Sequence, residues 1–388
     1  MRTFKPIQRL LFVSLCILLL TLVMPLGVSA QDTELSYEEM PGEYLEFIEL
    51  FPDEITQLLP EGLFSSDSEE VAGAVGEISD FSYLLRAALS LVGLKLGDCL
   101  KLLASVIGIL LLSATLRALQ SSFRQGSVGS AFSLLSSLII TLLLLKKGYD
   151  GMQGVNEYFS MLTTLARGSL PLLGTLYAMG GNVSAATASS AGLTVFLSVM
   201  EEIVGKTILP FCGICLAFAL VNAVDPSIRT GTLATTLKKN YTTVLTFLMT
   251  LLLAMLSAQT TLGAKSDTLA MKGVKFATGN MIPIVGGSVS ELLKTVSAGI
   301  GFLRGSVGIC AVLLLLLLLL PTLIELFLLR LTWQLCASCA DLLGCDTEKR
   351  LLEEFASING FLIAAACICS SVLFLSFLLL LHCASAIA

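Results

Sequence analysis

Seven stretches of the 388-residue chain contain no Asp, Glu, Lys or Arg: 102–116, 125–145, 168–200, 207–224, 240–264, 305–324 and 355–388. Crossing a bilayer as a helix takes about 20 apolar residues, because hydrocarbon offers no partner to backbone N–H and C=O groups and the helix pairs them internally. Most of these stretches reach that length. Residues 102–116 reach it once Lys101 and Arg117 extend toward the interfaces. Only 13% of the chain is charged and 55% is apolar, against about 25% charged in soluble domains. The run Leu313–Leu320 before Pro321 is the clearest span. Residues 281–303 and 326–343 are weaker ones, interrupted by Glu291, Lys294 and Arg330. The expected fold is all-α, a polytopic helical membrane protein with about six to eight spans.

The N-terminus has the build of a signal peptide over residues 1–30. Arg2, Lys5 and Arg9 precede an apolar run from Leu10 to Val23, Pro25 and Gly27 end it, and Val28-Ser29-Ala30 supplies small residues for cleavage before Gln31. An uncleaved first span is the alternative. Residues 31–80 hold fifteen acids and no Lys or Arg. Such a segment crosses the membrane without offending the positive-inside rule, which counts cations, so it is expected to be a short acidic ectodomain. Tyr44, Phe47, Ile48 and Phe51 fall at helical spacing within it. Residues 81–100 read as an amphipathic interfacial segment carrying Arg86, Lys95 and Asp98. Residues 101–388 form the polytopic domain.

Topology is weakly specified by charge. Segments 225–239 (Arg229, Lys238, Lys239) and 265–275 (Lys265, Lys272, Lys275) read as loops with three cations each, yet they flank one span. Lys265, Lys272 and Lys275, at i, i+7 and i+10, form a candidate partner face. Positive-inside anchoring explains them equally simply.

Two segments share a pattern of helix breakers. Gly168, Pro171 and Gly174 precede the small polar patch Gly181-Asn182-Val183-Ser184, and Gly279, Asn280, Pro283 and Gly286 precede Gly287-Ser288-Val289-Ser290. Gly and Pro at membrane depth free backbone groups that protein or a wet cavity must satisfy. Paired broken helices in two halves mark transporter-like centres. With 32 glycines in the chain, a coincidental pair is the competing reading, and a true internal duplication stays open.

Charged residues inside apolar stretches are the candidate polar lining. Glu201, Glu202 and Lys206 separate two such stretches, with Glu202 and Lys206 an i,i+4 pair. They read either as a proton-coupled lining or as an interfacial cap. Glu325, four residues after Pro321, marks either a pathway or the membrane edge.

Catalytic signatures are missing from the sequence. A single histidine, His382, supports no HExxH or multi-His metal centre. Gly205-Lys206-Thr207 has the tail of a phosphate-binding loop, but Met200 stands where its first glycine belongs. Cys212-x-x-Cys215 and Cys336-x-x-Cys339 lie in apolar helices, where Cys acts as a small hydrophobe. The cations are scattered without interleaved aromatics, so nothing supports nucleic-acid binding. No cofactor is expected.

The block Ala258-Gln-Thr-Thr-Leu-Gly-Ala-Lys265-Ser-Asp-Thr-Leu-Ala-Met-Lys272-Gly-Val-Lys275-Phe-Ala-Thr-Gly279-Asn280-Met-Ile-Pro283-Ile-Val-Gly286 resembles the most distinctive segment of the stage III sporulation protein AE family. The Gly180–Ala186 patch, the signal peptide, the acidic N-terminus and the order of spans are similar too. The resemblance covers roughly residues 100–388. It implies the multi-pass component of a mother cell–forespore transenvelope channel or secretion-like complex in endospore-forming bacteria. It also implies, as partners, the other products of the stage III sporulation A operon, including an ATPase and ring-forming subunits, and a forespore protein Q. It implies a place in the mother-cell membrane around the forespore and no catalytic residues. A self-sufficient secondary transporter using the breaks and the Glu201/Glu202 or Glu325 carboxylates is the alternative.

Overall fold

The computed structural model describes residues 46–48, 51, 56–57, 59–65, 68–122, 139, 141–146, 149, 157–171, 183–224, 230–281, 317 and 320–385. The signal peptide and nearly half of the acidic segment lie outside these residues. So do most of stretches 125–145 and 305–324. Regular structure among the described residues is helical, with no strand.

The described residues begin with a small satellite. Phe47 and Phe51 meet edge to face, with ring centroids 5.4 Å apart. With Ile48, Leu63, Val71 and Ile78 they are buried. These side chains come from the acidic segment, a 3-10 turn at Glu61–Phe64 and helix α1 (Ser68–Ser79). Asp80 then caps helix α2 (Phe81–Ser122): its carboxylate accepts the Ser82 amide at 3.3 Å and the Ser82 hydroxyl at 2.6 Å. These bonds to the ionised form hold the Asp80 carboxyl below its ordinary range. Helix α2 is continuous across the expected boundary at residue 100. Its 42 residues extend about 63 Å at 1.5 Å per residue, twice a hydrocarbon core.

Among the described residues, five helices are long and apolar enough to cross a membrane: Arg86–Leu116, Ser190–Val221, Gly231–Gln259, Leu320–Leu342 and Asp346–Ser376. The second corrects the expectation of separate apolar segments at 168–200 and 207–224. Helix α4 (Val183–Met200), a π-helical turn (Glu201–Gly205) and helix α5 (Lys206–Val224) run on as one rod. The irregularity has a local cause: Pro210 has no amide hydrogen to give the Lys206 carbonyl, so the ladder beside it is incomplete. Helix α6 (Thr230–Met281) is a second correction, because Lys238, Lys239 and residues 265–275 lie on one 52-residue helix rather than in loops. A helix at residues 157–171 (α3), one at 320–342 (α7) and α8 (Asp346–Ser385) are also described, and residues 141–146 are helical.

Helix α8 is the axis. In its most apolar stretch 83% of residues are buried, against 17% to 33% in the other four spans. Its composition permits this: from Phe355 onward it carries no charge, and Ala364, Ala365 and Ala366 let neighbours approach closely. Helix α7 joins it through a glycine turn. Gly344 takes φ +67°, its amide donates to Asp341 and that of Cys345 to Ala340 at 2.8 Å, the two bonds of a Schellman C-cap. The hairpin is closed by Trp333 against Phe355, with centroids 5.0 Å apart. The Arg330 guanidinium lies so near Gly360 that a Cβ there would sit 3.1 Å from Nη1.

The cross-contacts fix directions. Tyr241 meets Phe361 edge to face with centroids 5.3 Å apart and Lys238 bonds Ser357, so α6 and α8 run parallel. Thr207 meets Tyr241 at 2.7 Å while Gly192 abuts Leu256 and Gln259, so the α4–α5 rod runs antiparallel to α6.

Candidate functional site

The π-turn gathers the charges that the sequence singled out. Glu201 pairs with Arg167 of α3, and Glu202 pairs with Lys206 at 2.5 Å. A π-turn inserts one residue per turn and rotates the following side chains, a device found often at functional sites. Here it lets two consecutive acids each meet a cation on the outer surface of the bundle. Just beyond, the Thr207 hydroxyl bonds both the Ile203 carbonyl and the Tyr241 phenol, which anchors the turn to α6. Phe211, Tyr241 and Phe361 form an aromatic cluster behind it, with centroids 4.5 to 5.3 Å apart.

Glu325 lies elsewhere, on α7, where it meets Lys95 of α2 at 3.3 Å. The structure therefore does not join Glu325 to Glu201 and Glu202 in one lining. The helix-break residues divide as follows. Gly168 and Pro171 are helical within α3, and Gly279 and Asn280 are helical at the end of α6. Gly174, Pro283 and Gly286 lie outside the described residues. Lys265, Lys272 and Lys275 lie on the helical backbone of α6.

One enclosed polar cluster lies outside the charges singled out from sequence. Lys238 of α6 forms an ion pair with Glu354 of α8 and donates to Ser357 Oγ at 2.7 Å. Its side chain is 5% exposed and that of Glu354 is 17%. Near the start of α8, buried Glu348 accepts the Ser113 hydroxyl of α2 at 2.6 Å. One signal was available: Lys238 and Lys239 end just before the charge-free stretch at 240, and Glu353 and Glu354 just before that at 355. Two parallel helices of similar apolar length bring such edges level. Arg167 was missed because nothing local ties it to Glu201, 34 residues away.

Arg167–Glu201, Lys206–Glu202 and Lys238–Glu354 are neutral pairs, which suits charges held in or beside hydrocarbon. Cys212 and Cys215 are buried side by side on α5, Cys336 is buried on α7 and Cys339 is partly exposed there.

Comparison with known proteins supplies what this geometry does not. The sequence model described as stage III sporulation protein AE matches residues 71–385. The chain is similar to the stage III sporulation protein AE of Bacillus subtilis (strain 168), 23% identical over 276 residues, covering 71% of this chain and 69% of that protein. No solved structure matches it. The family match begins at Val71, on α1, and takes in all five candidate spans. The chain belongs to the stage III sporulation protein AE family.

Proposed function

We propose that this protein is an integral membrane component of the transenvelope channel or secretion-like complex between mother cell and forespore, acting through partners rather than by catalysis. The observation that carries this reading is the family match over residues 71–385, in a chain with five helices apt for membrane crossing. The partners in this reading are the other products of its sporulation operon, among them an ATPase and ring-forming subunits, and the forespore protein Q. The signal peptide and acidic ectodomain belong to the same reading, as does the mother-cell membrane surrounding the forespore. Bundle chemistry agrees with a passive subunit: Glu201, Glu202 and Lys238 are held in ion pairs, and the axial helix is packed with apolar side chains.

The test is affinity purification of the tagged full chain from membranes of sporulating cells, followed by mass spectrometry and imaging. Co-purification of the operon's ATPase and ring proteins is the expected result. A chain that purifies without them, and that alone moves a solute across proteoliposomes, would establish the secondary-transporter alternative instead.

A further inference from the structure

The cross-contacts also sort the helix ends. Lys238, early in α6, meets Glu354 and Ser357, early in α8, and Ser113, late in α2, meets Glu348 at the start of α8. Helix α2 is therefore antiparallel to both α6 and α8. Its first residues lie at the end of the bundle where α6 finishes. At 1.5 Å per residue, Phe81 stands about 35 Å beyond the level of Lys238, and Lys265 about 40 Å beyond it. A hydrocarbon core is about 30 Å thick, and the charge-free stretches of α6 and α8 begin just past Lys238 and Glu354. The acidic satellite that leads into α2 and the last third of α6 emerge from one side, at nearly the same height.

The opposite end of the bundle holds Lys238, Lys239, Lys349 and Arg350. Cations mark the cytoplasmic side, which sets the satellite and Lys265, Lys272 and Lys275 together on the outer side. Positive-inside anchoring then no longer accounts for these three lysines, because it would place them at the other end. An anionic neighbour does account for them. On the helix they fall within an arc of about 80°, and Asp267, the one acid of α6, lies outside it. From Glu46 to Asp80 the chain has ten acids and no Lys or Arg. Glu46, Glu61, Glu70 and Glu77 are exposed, and none of the four forms an ion pair among the described residues. The buried side chains of Phe47, Leu63, Val71 and Ile78 give these acids a fixed base.

We infer that the cationic end of α6 docks on the acidic satellite of its own chain, outside the membrane. Charge and position together select this occupant. The two parts carry opposite charge, start at one height on one side of one bundle, and are joined by a short rigid path through α2. A tether of that kind makes the contact intramolecular and raises the effective concentration far above that of a separate partner. Docking ties the satellite to the bundle at a second point besides α2.

The inference is independent of the channel reading, because its test uses the full chain expressed alone in a host without sporulation proteins. A water-soluble carbodiimide joins a lysine amine directly to a nearby carboxylate, and mass spectrometry of the digest identifies the pairs. Links from Lys265, Lys272 or Lys275 to acids between Glu46 and Asp80, in material of single-chain mass, are expected. The Lys349–Asp341 link, whose groups lie 2.7 Å apart, is the internal control. Raising salt from about 0.01 M to about 1 M shortens the screening length from about 30 Å to about 3 Å and should reduce the satellite links several-fold. The control link without the others, links only to Glu157 or other acids outside the satellite, or links only in material of twice the chain mass would overturn the docking. In a second measurement, replacing the three lysines by Gln should speed cutting between Glu46 and Asp80 by a Glu-specific protease roughly three- to ten-fold, the scale of a few exposed ion pairs. With membrane abundance unchanged, an unaltered rate refutes it. Glu70→Cys and Lys272→Cys should each react with a membrane-impermeant maleimide in intact spheroplasts. Reaction of either one only after lysis refutes the shared outer side.

Discussion

Lys238 and Glu354 are 116 residues apart and form an ion pair at the junction of α6 with the axial helix, with Ser357 as a third partner. Lys238 is buried and Glu354 partly so, so the pair's value lies in its completeness. Removing one partner strands the other charge, whereas removing both leaves a packing problem only.

Lys238→Met and Glu354→Leu are each expected to destabilise the protein by about 3–5 kcal/mol, and the double variant by less than the sum. Thermal unfolding of the detergent-purified chain measures this. Additive losses would show that the two side chains do not depend on one another.

Gly192 sets the spacing between α4 and α6. A Cβ there would lie 2.4 Å from Gln259 Oε1 and 2.8 Å from Leu256 Cδ1. Both are ends of flexible side chains, so Gly192→Ala should be absorbed at little loss, while Gly192→Leu should cost about 1–3 kcal/mol by overpacking. Gln259→Ala should recover part of the Leu variant's stability. Its failure to do so would place the clash elsewhere.

Trp333 is the chain's one tryptophan, 1% exposed and stacked near Phe355. Its fluorescence should therefore report the α7–α8 hairpin, with blue-shifted emission in the folded protein. Phe355→Ala should shift the emission and lower stability by about 3–5 kcal/mol. An unchanged spectrum would contradict the contact.

Asp80 caps α2 as a carboxylate, and its pKa lies below the model-peptide value of 3.8 because Ser82's hydroxyl and amide bind the ionised form. The cap's contribution is therefore full above that value and fades as pH falls through the depressed one. Hydrogen-exchange protection at the first turn of α2, taken relative to the intrinsic rate at each pH, should fall on acidification below pH 3.8. Asp80→Ala should lack that protection at every pH, while Asp80→Asn keeps most of it.

Charge-free runs alone determined that this chain is helical and built for a bilayer, because hydrocarbon length and backbone satisfaction are local demands. The run from Phe355 onward was legible as a span in the same way, and so was the Glu202–Lys206 pair, whose spacing is one helical turn. The Ala258–Gly286 block was legible as a family signature, later matched over residues 71–385. Sequence alone did not reveal that α8 would be the enclosed axis, that Lys238 would leave its expected loop for a buried partner, or that Glu325 would answer to Lys95 instead of Glu201. Each is a pairing between distant segments, decided by which helices pack and in which register. Periodicity along a single helix carries no information about that choice, since every apolar face is an equally good partner until the bundle closes. The π-turn belongs with these: Glu201 and Glu202 read as a boundary, and the tertiary pairs with Arg167 and Tyr241's hold on Thr207 show a rod that continues.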